Sequence, residues 1–374
     1  MTKSRKKCVG KYKIAVFANF LDNIGGAEIL SLILARELDA DIYTTNIDQD
    51  KISRMGFDGI KIFSIGKVPR NAPFRQQLTL AKFRKLSLKR EYNLYIITGD
   101  WAISGAVNNK PNIEYFHSPV NEIWAFKSFV RSNLEKWKRP LFDIWVFYNR
   151  YLYRNYFRHV EKRIANSNNT RDRIEKYLGA TAEVIHPPVE TGKYRNDQNG
   201  DFWLSVNRLT PHKRIDLQLQ AFSKLPSEKL VIVGSYEKGA KHFEVYREYL
   251  EKLKPANVLF KTWVTQQELI DLYAKCKGFI TTAQNEDFGM TPLEAMASGK
   301  PVIACNEGGY KETIIHRKTG VLIDNISADT LVAAICKITN HEAEYRNACF
   351  NRALEFDTEV FINRIEKVIS IAIK

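Results

Sequence analysis

The chain has 374 residues, 44% hydrophobic and 26% charged, a composition of soluble globular proteins and a length that suits two domains better than one core. Five scattered cysteines, Cys8, Cys276, Cys305, Cys336 and Cys349, form no C-x-x-C pair and no His-bearing cluster, which speaks against a disulfide framework or a zinc site, and no apolar run reaches bilayer length. The net charge of +15 is uneven: residues 1–190 hold 32 Lys+Arg against 19 Asp+Glu and the remainder 25 against 23, so the first half is expected to face something anionic.

The opening string Met1-Thr-Lys-Ser-Arg-Lys-Lys-Cys8 is basic without a following signal-peptide core, so a cytoplasmic location is expected. A strand is predicted at 12–18, followed by a loop ending in Gly25-Gly26-Ala27-Glu28 and a helix through Leu38. A glycine pair between strand and helix lets the backbone approach a ligand and offer N–H groups to phosphate. It lacks G-x-G-x-x-G, which argues against a nicotinamide dehydrogenase. Strands at 41–44 and 60–63 precede an acid-free stretch from Lys67 to Arg90, where eight basic residues alternate with Phe74, Leu78, Leu80, Phe83, Leu86 and Leu88. An anionic membrane surface selects such a segment; the alternative is a solvated helix whose apolar side packs on its own domain. Further strands are predicted at 94–98, 113–116, 163–165 and 183–185. The first of the middle pair to end in a functional side chain is 113–116, where His117-Ser-Pro119 follows and an imidazole can enter a cleft, although a lone histidine is more often structural.

The polar, Gly/Asn-rich segment 191–200 reads as a linker, and a second run of strands follows at 202–206, 230–233, 258–260, 279–282, 302–304 and 321–323. Alternation with helices predicts a parallel sheet in each half. After the first of these strands, Arg208 and Lys213 stand about one helical turn apart at a helix start, where two cations can clamp a diphosphate; a solvated basic helix start is the plain alternative. After 279–282 comes a loop with Glu286, then Thr291 as predicted N-cap, Pro292 at the first helical position and Glu294 at the third, with Gly299-Lys-Pro301 closing the helix. Such a loop lies at the carboxyl edge of a parallel sheet, where open α/β sheets bind ligands. Thr291-x-x-Glu294 is also a capping box, in which Glu294 serves only the helix end. Residues 355–372 read as an amphipathic helix.

Glu286 and Glu294, eight positions apart, together with Gly-Gly-Ala-Glu28, His117-Ser-Pro, Arg163-Ile-Ala-Asn-Ser167, Val184-Ile-His-Pro-Pro-Val189, Arg208 with Lys213, and Gly308-Gly309, resemble the retaining nucleotide-sugar glycosyltransferases of family 4 over essentially the whole chain. The strings Glu-Asp-Phe-Gly, Tyr-Phe-His-Ser-Pro and His-Pro-Pro-Val look most like O-antigen and lipid-linked-oligosaccharide mannosyltransferases. The resemblance implies the GT-B fold: two doubly wound Rossmann-like α/β domains facing a cleft, an acceptor-binding one at 1–195 and a nucleotide-sugar-binding one at 196–355, with a crossover helix at 356–374 returning to the first. It implies retaining hexosyl transfer, with GDP-mannose the expected co-substrate, a UDP-sugar the alternative, and a glycan or lipid-linked acceptor.

In that reading Arg208 and Lys213 neutralise the leaving diphosphate with help from amides at Gly25, Gly26, Phe288, Gly289 and Met290. Glu286 orients the sugar, Glu294 holds the ribose hydroxyls, and His117 touches the sugar. Glu286 acting as a nucleophile is the alternative chemistry. Asp39-Ala-Asp41 and Asp48-Gln-Asp50 have the D-x-D form of metal-dependent transferases but lie away from the expected diphosphate, so neither a metal nor a further cofactor is expected. The aromatic and basic stretch Trp124 to Arg158 departs from the family and is where acceptor recognition is expected. With the charge of the first half, this predicts a peripheral enzyme on the inner face of an anionic membrane. Two rivals remain: a nucleic-acid-binding protein, which explains +15 but gives Glu286 and Glu294 no role, and a GT-B sugar epimerase or inactive relative.

Overall fold

The computed structural model describes residues 12–373 apart from 23–24, 71–72, 90, 198–199, 235–240 and 262–263, and apart from the side chains of 241–244. The basic string at 1–8 and Arg90 therefore lie outside the described residues. The chain divides into two units: one runs to His186 and takes in the chain again from Phe361, and the other is Pro187–Val360. The division falls nine residues before the predicted 195/196 boundary, because Val189 is already held by the second unit, its N–H donating to the Phe356 carbonyl at 2.9 Å.

The first unit is built on seven parallel strands, β1 Ile14–Phe17, β2 Asp41–Thr44, β3 Ile62–Ser64, β4 Leu94–Ile97, β5 Asn112–Phe116, β6 Lys162–Ala165 and β7 Glu183–Val184, in the order β3-β2-β1-β4-β5-β6-β7. β1, β4 and β5 are buried along their whole length, which is why they read as continuous apolar runs and not as alternating ones. Val16, Ile42 and Ile96 pack on one face of the sheet with the Gly26–Leu38 helix; Phe17, Tyr95 and Phe116 pack on the other. The terminal helix Thr358–Ala372 closes the first of these layers, burying Phe361, Ile362, Ile365, Val368 and Ile369 in the same cluster as Ile14 and Leu30.

The second unit has six parallel strands, β8 Phe202–Val206, β9 Lys229–Val233, β10 Val258–Lys261, β11 Phe279–Thr281, β12 Val302–Cys305 and β13 Gly320–Ile323, ordered β10-β9-β8-β11-β12-β13. Both sheets change direction of strand order once, between β1 and β4 and between β8 and β11. Loops leaving the carboxyl ends of strands at such a switch point open a crevice for ligands. In the second unit those loops carry Arg208, Lys213 and Glu286, so topology alone brings together residues more than 70 positions apart.

The Lys67–Arg90 segment is a packed helix over much of its length. Its helical part, Phe74–Lys85, buries Leu80 and Phe83, and Leu88 is buried beyond it. Arg75 is also buried, paired with Asp22 and stacked 3.5 Å from the centre of the Phe20 ring. Phe74 and Leu78 remain exposed.

Candidate functional site

The site in the second unit grows from the end of β8. After Asn207 the chain makes a short turn, Pro211–Lys213, and Arg214 takes a left-handed conformation (φ 51°) before the Ile215–Ser223 helix. That turn is stitched to the loop after β11. Thr282 Oγ1 donates to the Lys213 carbonyl at 2.7 Å, Arg214 Nε donates to the Thr282 carbonyl at 2.6 Å, and the Gln284 N–H donates to the His212 carbonyl at 2.8 Å. Glu307, after β12, ties in the same loop by accepting from Arg214 at 3.1 Å and from the Asn285 N–H at 3.0 Å. Three strand ends are thus locked into one platform.

On that platform Lys213 Nζ donates to Glu286 Oε2 at 2.6 Å, with both side chains mostly buried. Burial disfavours the Glu286 charge, but the surrounding groups, Lys213 foremost by charge and by hydrogen bond and Arg208 by charge, together hold the carboxyl below its ordinary value. Lys213 is therefore no freestanding clamp: it is the partner of the loop carboxylate. Arg208 is exposed. His212, beside them, has its pKa pushed down to about 4 by burial and by Lys213, so it is neutral near pH 7.

Glu294 differs from the sequence expectation in its surroundings. The helix is Met290–Ala297 with Gly289 as N-cap and no side-chain cap, so Thr291 is the second helical residue and Glu294 the fifth. The capping box does not form, because a residue in the second turn lies too far from the end to bond it. The Glu294 carboxylate instead accepts from Tyr273 Oη at 2.7 Å and from Tyr194. Burial raises its pKa more than those two hydrogen bonds lower it. Gly289 (φ 91°) makes the turn, since a Cβ there would meet the Tyr310 ring at 2.5 Å. Phe288 is buried against Phe356, ring centres 5.8 Å apart, so only its backbone belongs to the loop surface. Gly308 (φ 54°) and Gly309 let the chain after β12 run against the backbone of Glu286 and Phe288, and the Gly309 N–H donates to the Glu286 carbonyl at 2.9 Å.

In the first unit, Gly25 is the N-cap of the Gly26–Leu38 helix, and its N–H donates to Glu28 Oε2 at 2.8 Å. Glu28 thus occupies the Gly25 amide, while Gly26 stands in the first turn of the helix, where the N-cap residue makes no side-chain hydrogen bond. His117 follows β5. Its carbonyl accepts from Asn166 Nδ2 at 2.8 Å and Thr170 Oγ1 at 3.0 Å, while its buried Nε2 has no hydrogen-bond partner among the described residues. Burial lowers its pKa to about 4, leaving a neutral ring near pH 7 with an unused polar atom. Ser118 is occupied by Arg173 at 2.9 Å. The D-x-D carboxylates are structural where they have partners: Asp41 accepts from Tyr92 Oη at 2.6 Å and Asp48 caps the Gln49–Arg54 helix.

Sequence reading missed Tyr273, Tyr194 and the Lys213–Glu286 pairing. Tyr273 sits among apolar positions of the Gln266–Lys275 helix and carries no motif; only the fold turns its hydroxyl toward Glu294.

Residues 189–356 match the family described as glycosyl transferases group 1, a span that includes Arg208, Lys213, Glu286 and Glu294. The alpha-1,3/1,6-mannosyltransferase ALG2 of Dictyostelium discoideum is 36% identical over 219 residues, 47% of this chain and 52% of that protein. The GDP-mannose-dependent alpha-(1-6)-phosphatidylinositol monomannoside mannosyltransferase of Mycobacterium tuberculosis is 30% identical over 199 residues, 46% of this chain and 51% of that one. The chain thus spans about half the length of these relatives. The crystal structure of Anabaena HepE in complex with UDP and glucose superposes with a TM-score of 0.76 at 20% identity, covering 96% of this chain and 99% of that one.

Proposed function

We propose that the protein is a retaining glycosyltransferase moving a hexosyl group, mannosyl in the first instance, from a nucleotide sugar to a glycan acceptor, a reading supported by the match of residues 189–356 to the glycosyl transferases group 1 family and by the GT-B fold. The observation that carries the reading is the pair of carboxylates at the β8/β11 switch point, held in two different states: Glu286 charged against Lys213, and Glu294 cradled by two tyrosine hydroxyls.

In this reading Glu294 presents its remaining lone pairs to the ribose diol. Glu286 orients the sugar hydroxyls, and its pairing with Lys213 lowers its nucleophilicity, which favours orientation over covalent attack. As the glycosyl–phosphate bond breaks, Lys213 and Arg208 neutralise the charge gathering on the diphosphate. These cations supply what a metal supplies in D-x-D enzymes, so no metal is required. His117, in the first unit and neutral near pH 7, keeps a ring nitrogen able to accept from a hydroxyl. GDP-mannose is the proposed donor: both mannosyltransferase relatives support the mannosyl group, and the GDP-mannose-dependent one from Mycobacterium tuberculosis supports the nucleotide; a UDP-sugar is the second reading, favoured by the fold likeness to HepE, which was captured with UDP and glucose. The acceptor is proposed to be lipid-linked and met on an anionic membrane surface by the strongly basic first half of the chain.

Thermal shifts with GDP-mannose, UDP-glucose, UDP-N-acetylglucosamine and the parent nucleotides test the donor. At a hundredfold excess over its dissociation constant the true donor stabilises by about 2.7 kcal/mol. GDP-mannose is expected to give the largest shift. A larger shift with a UDP-sugar removes the mannosyl assignment, and no shift with any of them removes the transferase reading.

A further inference from the structure

The helix Lys138–Phe157 is apolar on two opposite faces, and only one of them is covered. Val146, Asn149, Tyr153 and Phe157 are buried in the core of the first unit. On the far side Trp137, Leu141, Ile144, Phe147, Tyr148 and Tyr151 recur at helical spacing, and each is more than half exposed, Phe147 at 78%. A helix hydrophobic all round belongs in a core or against lipid. At roughly 100 Å² of exposed surface per side chain the stripe amounts to about 600 Å², the upper end of what a monomer leaves bare. A second helix, Phe74–Lys85, also leaves Phe74 and Leu78 exposed, and it meets this one where Gln77 Nε2 donates to Asn149 Oδ1 at 2.7 Å.

The surroundings of the stripe identify what covers it. Residues 136–158 hold six Lys/Arg and one acidic residue, Asp143, which is already taken by Lys127 at 2.9 Å and Arg131 at 2.8 Å. Glu135, just outside, pairs with Lys138 at 3.0 Å and accepts from the Trp137 indole at 2.6 Å. Lys136, Arg154 and Arg158 are exposed beside the aromatic face. A second copy of the chain seated on the same face would place these cations against their own images, which is unfavourable in a two-fold interface. An anionic lipid surface receives all of them, and Trp and Tyr are the side chains that settle at the headgroup level.

We propose that the Lys138–Phe157 helix lies in the plane of an anionic bilayer with its Trp137–Tyr151 stripe sunk to the headgroup–acyl boundary. No helix among the described residues is long and apolar enough to cross a membrane, and this one, about 30 Å long, rests on it. The purpose of the contact rests on the reading of a membrane-borne acceptor. Its physics differs from charge attraction alone: the basic residues draw the protein to the surface, and the stripe keeps it there once salt has screened the charges.

Flotation of the full chain with vesicles of phosphatidylglycerol and phosphatidylcholine, at low salt and at about 1 M salt, tests this. Binding is expected at both, reduced but present at high salt. The double variant Ile144→Ser, Phe147→Ser replaces two solvent-facing side chains, so the fold is retained, as checked by melting temperature and by the nucleotide-induced shift. It is expected to lose at least about tenfold in vesicle affinity. Acyl-chain-brominated lipids are expected to quench emission from wild type more than from Trp137→Phe. The inference is overturned if the double variant floats like wild type, if wild type is released completely at high salt, or if sedimentation shows a dimer that the same substitutions dissociate, with vesicle binding untouched. A chain that shifts with a nucleotide sugar yet fails to float sinks this inference alone; one that floats but answers to no nucleotide sinks the proposed function alone.

Discussion

Glu286 and Glu294 are the same residue type eight positions apart, and their environments drive them in opposite directions. A carboxylate 2.6 Å from an ammonium stays charged; one buried against two phenols is pushed toward the neutral form. Their amide variants are expected to part ways. Glu286→Gln removes an oriented charge from the reacting sugar and is expected to lower turnover about a hundredfold to a thousandfold, with a stability loss of about 1–3 kcal/mol because Lys213 is left partly buried without its partner. Glu294→Gln is expected to weaken nucleotide-sugar binding by roughly tenfold while leaving turnover at saturation within a few fold, since a neutral amide accepts the tyrosine hydroxyls but holds a diol less strongly. Single-turnover rates and donor titrations check both. Equal effects on binding and turnover in the two variants would deny the separate roles.

At the scale of elements, the loop after β12 is pressed against the loop after β11, and glycine makes that approach possible. Gly308 has φ 54°, and a Cβ built there collides with the Glu286 carbonyl. Gly308→Ala therefore incurs a left-handed backbone cost of about 1–2 kcal/mol together with a backbone clash that only displacement of the Glu286 loop relieves. The variant is expected to melt several degrees lower and to bind donor more weakly, whereas Gly192→Ala, where a Cβ meets nothing within 4 Å, is expected to do neither. Calorimetry of the two variants with and without nucleotide sugar separates them. The strands themselves were legible in advance: all thirteen lie where they were expected, with ends shifted by at most two residues, and β1, β4, β5 and β12 stood out as apolar runs because strands buried on both faces must be apolar throughout. The helix start was misplaced by two residues because Gly289, in a conformation open to glycine, caps the helix before Thr291 can.

For the molecule as a whole, the chain closes its first unit with its last helix. Phe361, Ile362, Ile365, Val368 and Ile369 are buried in a core whose other members come from the first 190 residues. Five such side chains represent about 8–15 kcal/mol of burial, comparable to the entire stability of a domain. Deleting residues 361–374 is expected to unfold the first unit and leave the second folded. Limited proteolysis reads this directly: Pro187–Val360 should persist while the preceding residues are digested, and survival of both would show that the helix is dispensable. The sequence by itself determined the parallel sheets, the motif residues and the excess of positive charge in the first half, because periodicity, glycine placement and composition are local properties. Only the tertiary structure decided that Lys213 belongs to Glu286, 73 positions away, and that Glu294 leans on Tyr273 and not on its own helix end. It likewise decided which face of the Lys138–Phe157 helix is bare, since a helix apolar on two sides carries no signal for which side the core will take, and pairing across strand ends is settled by topology and packing.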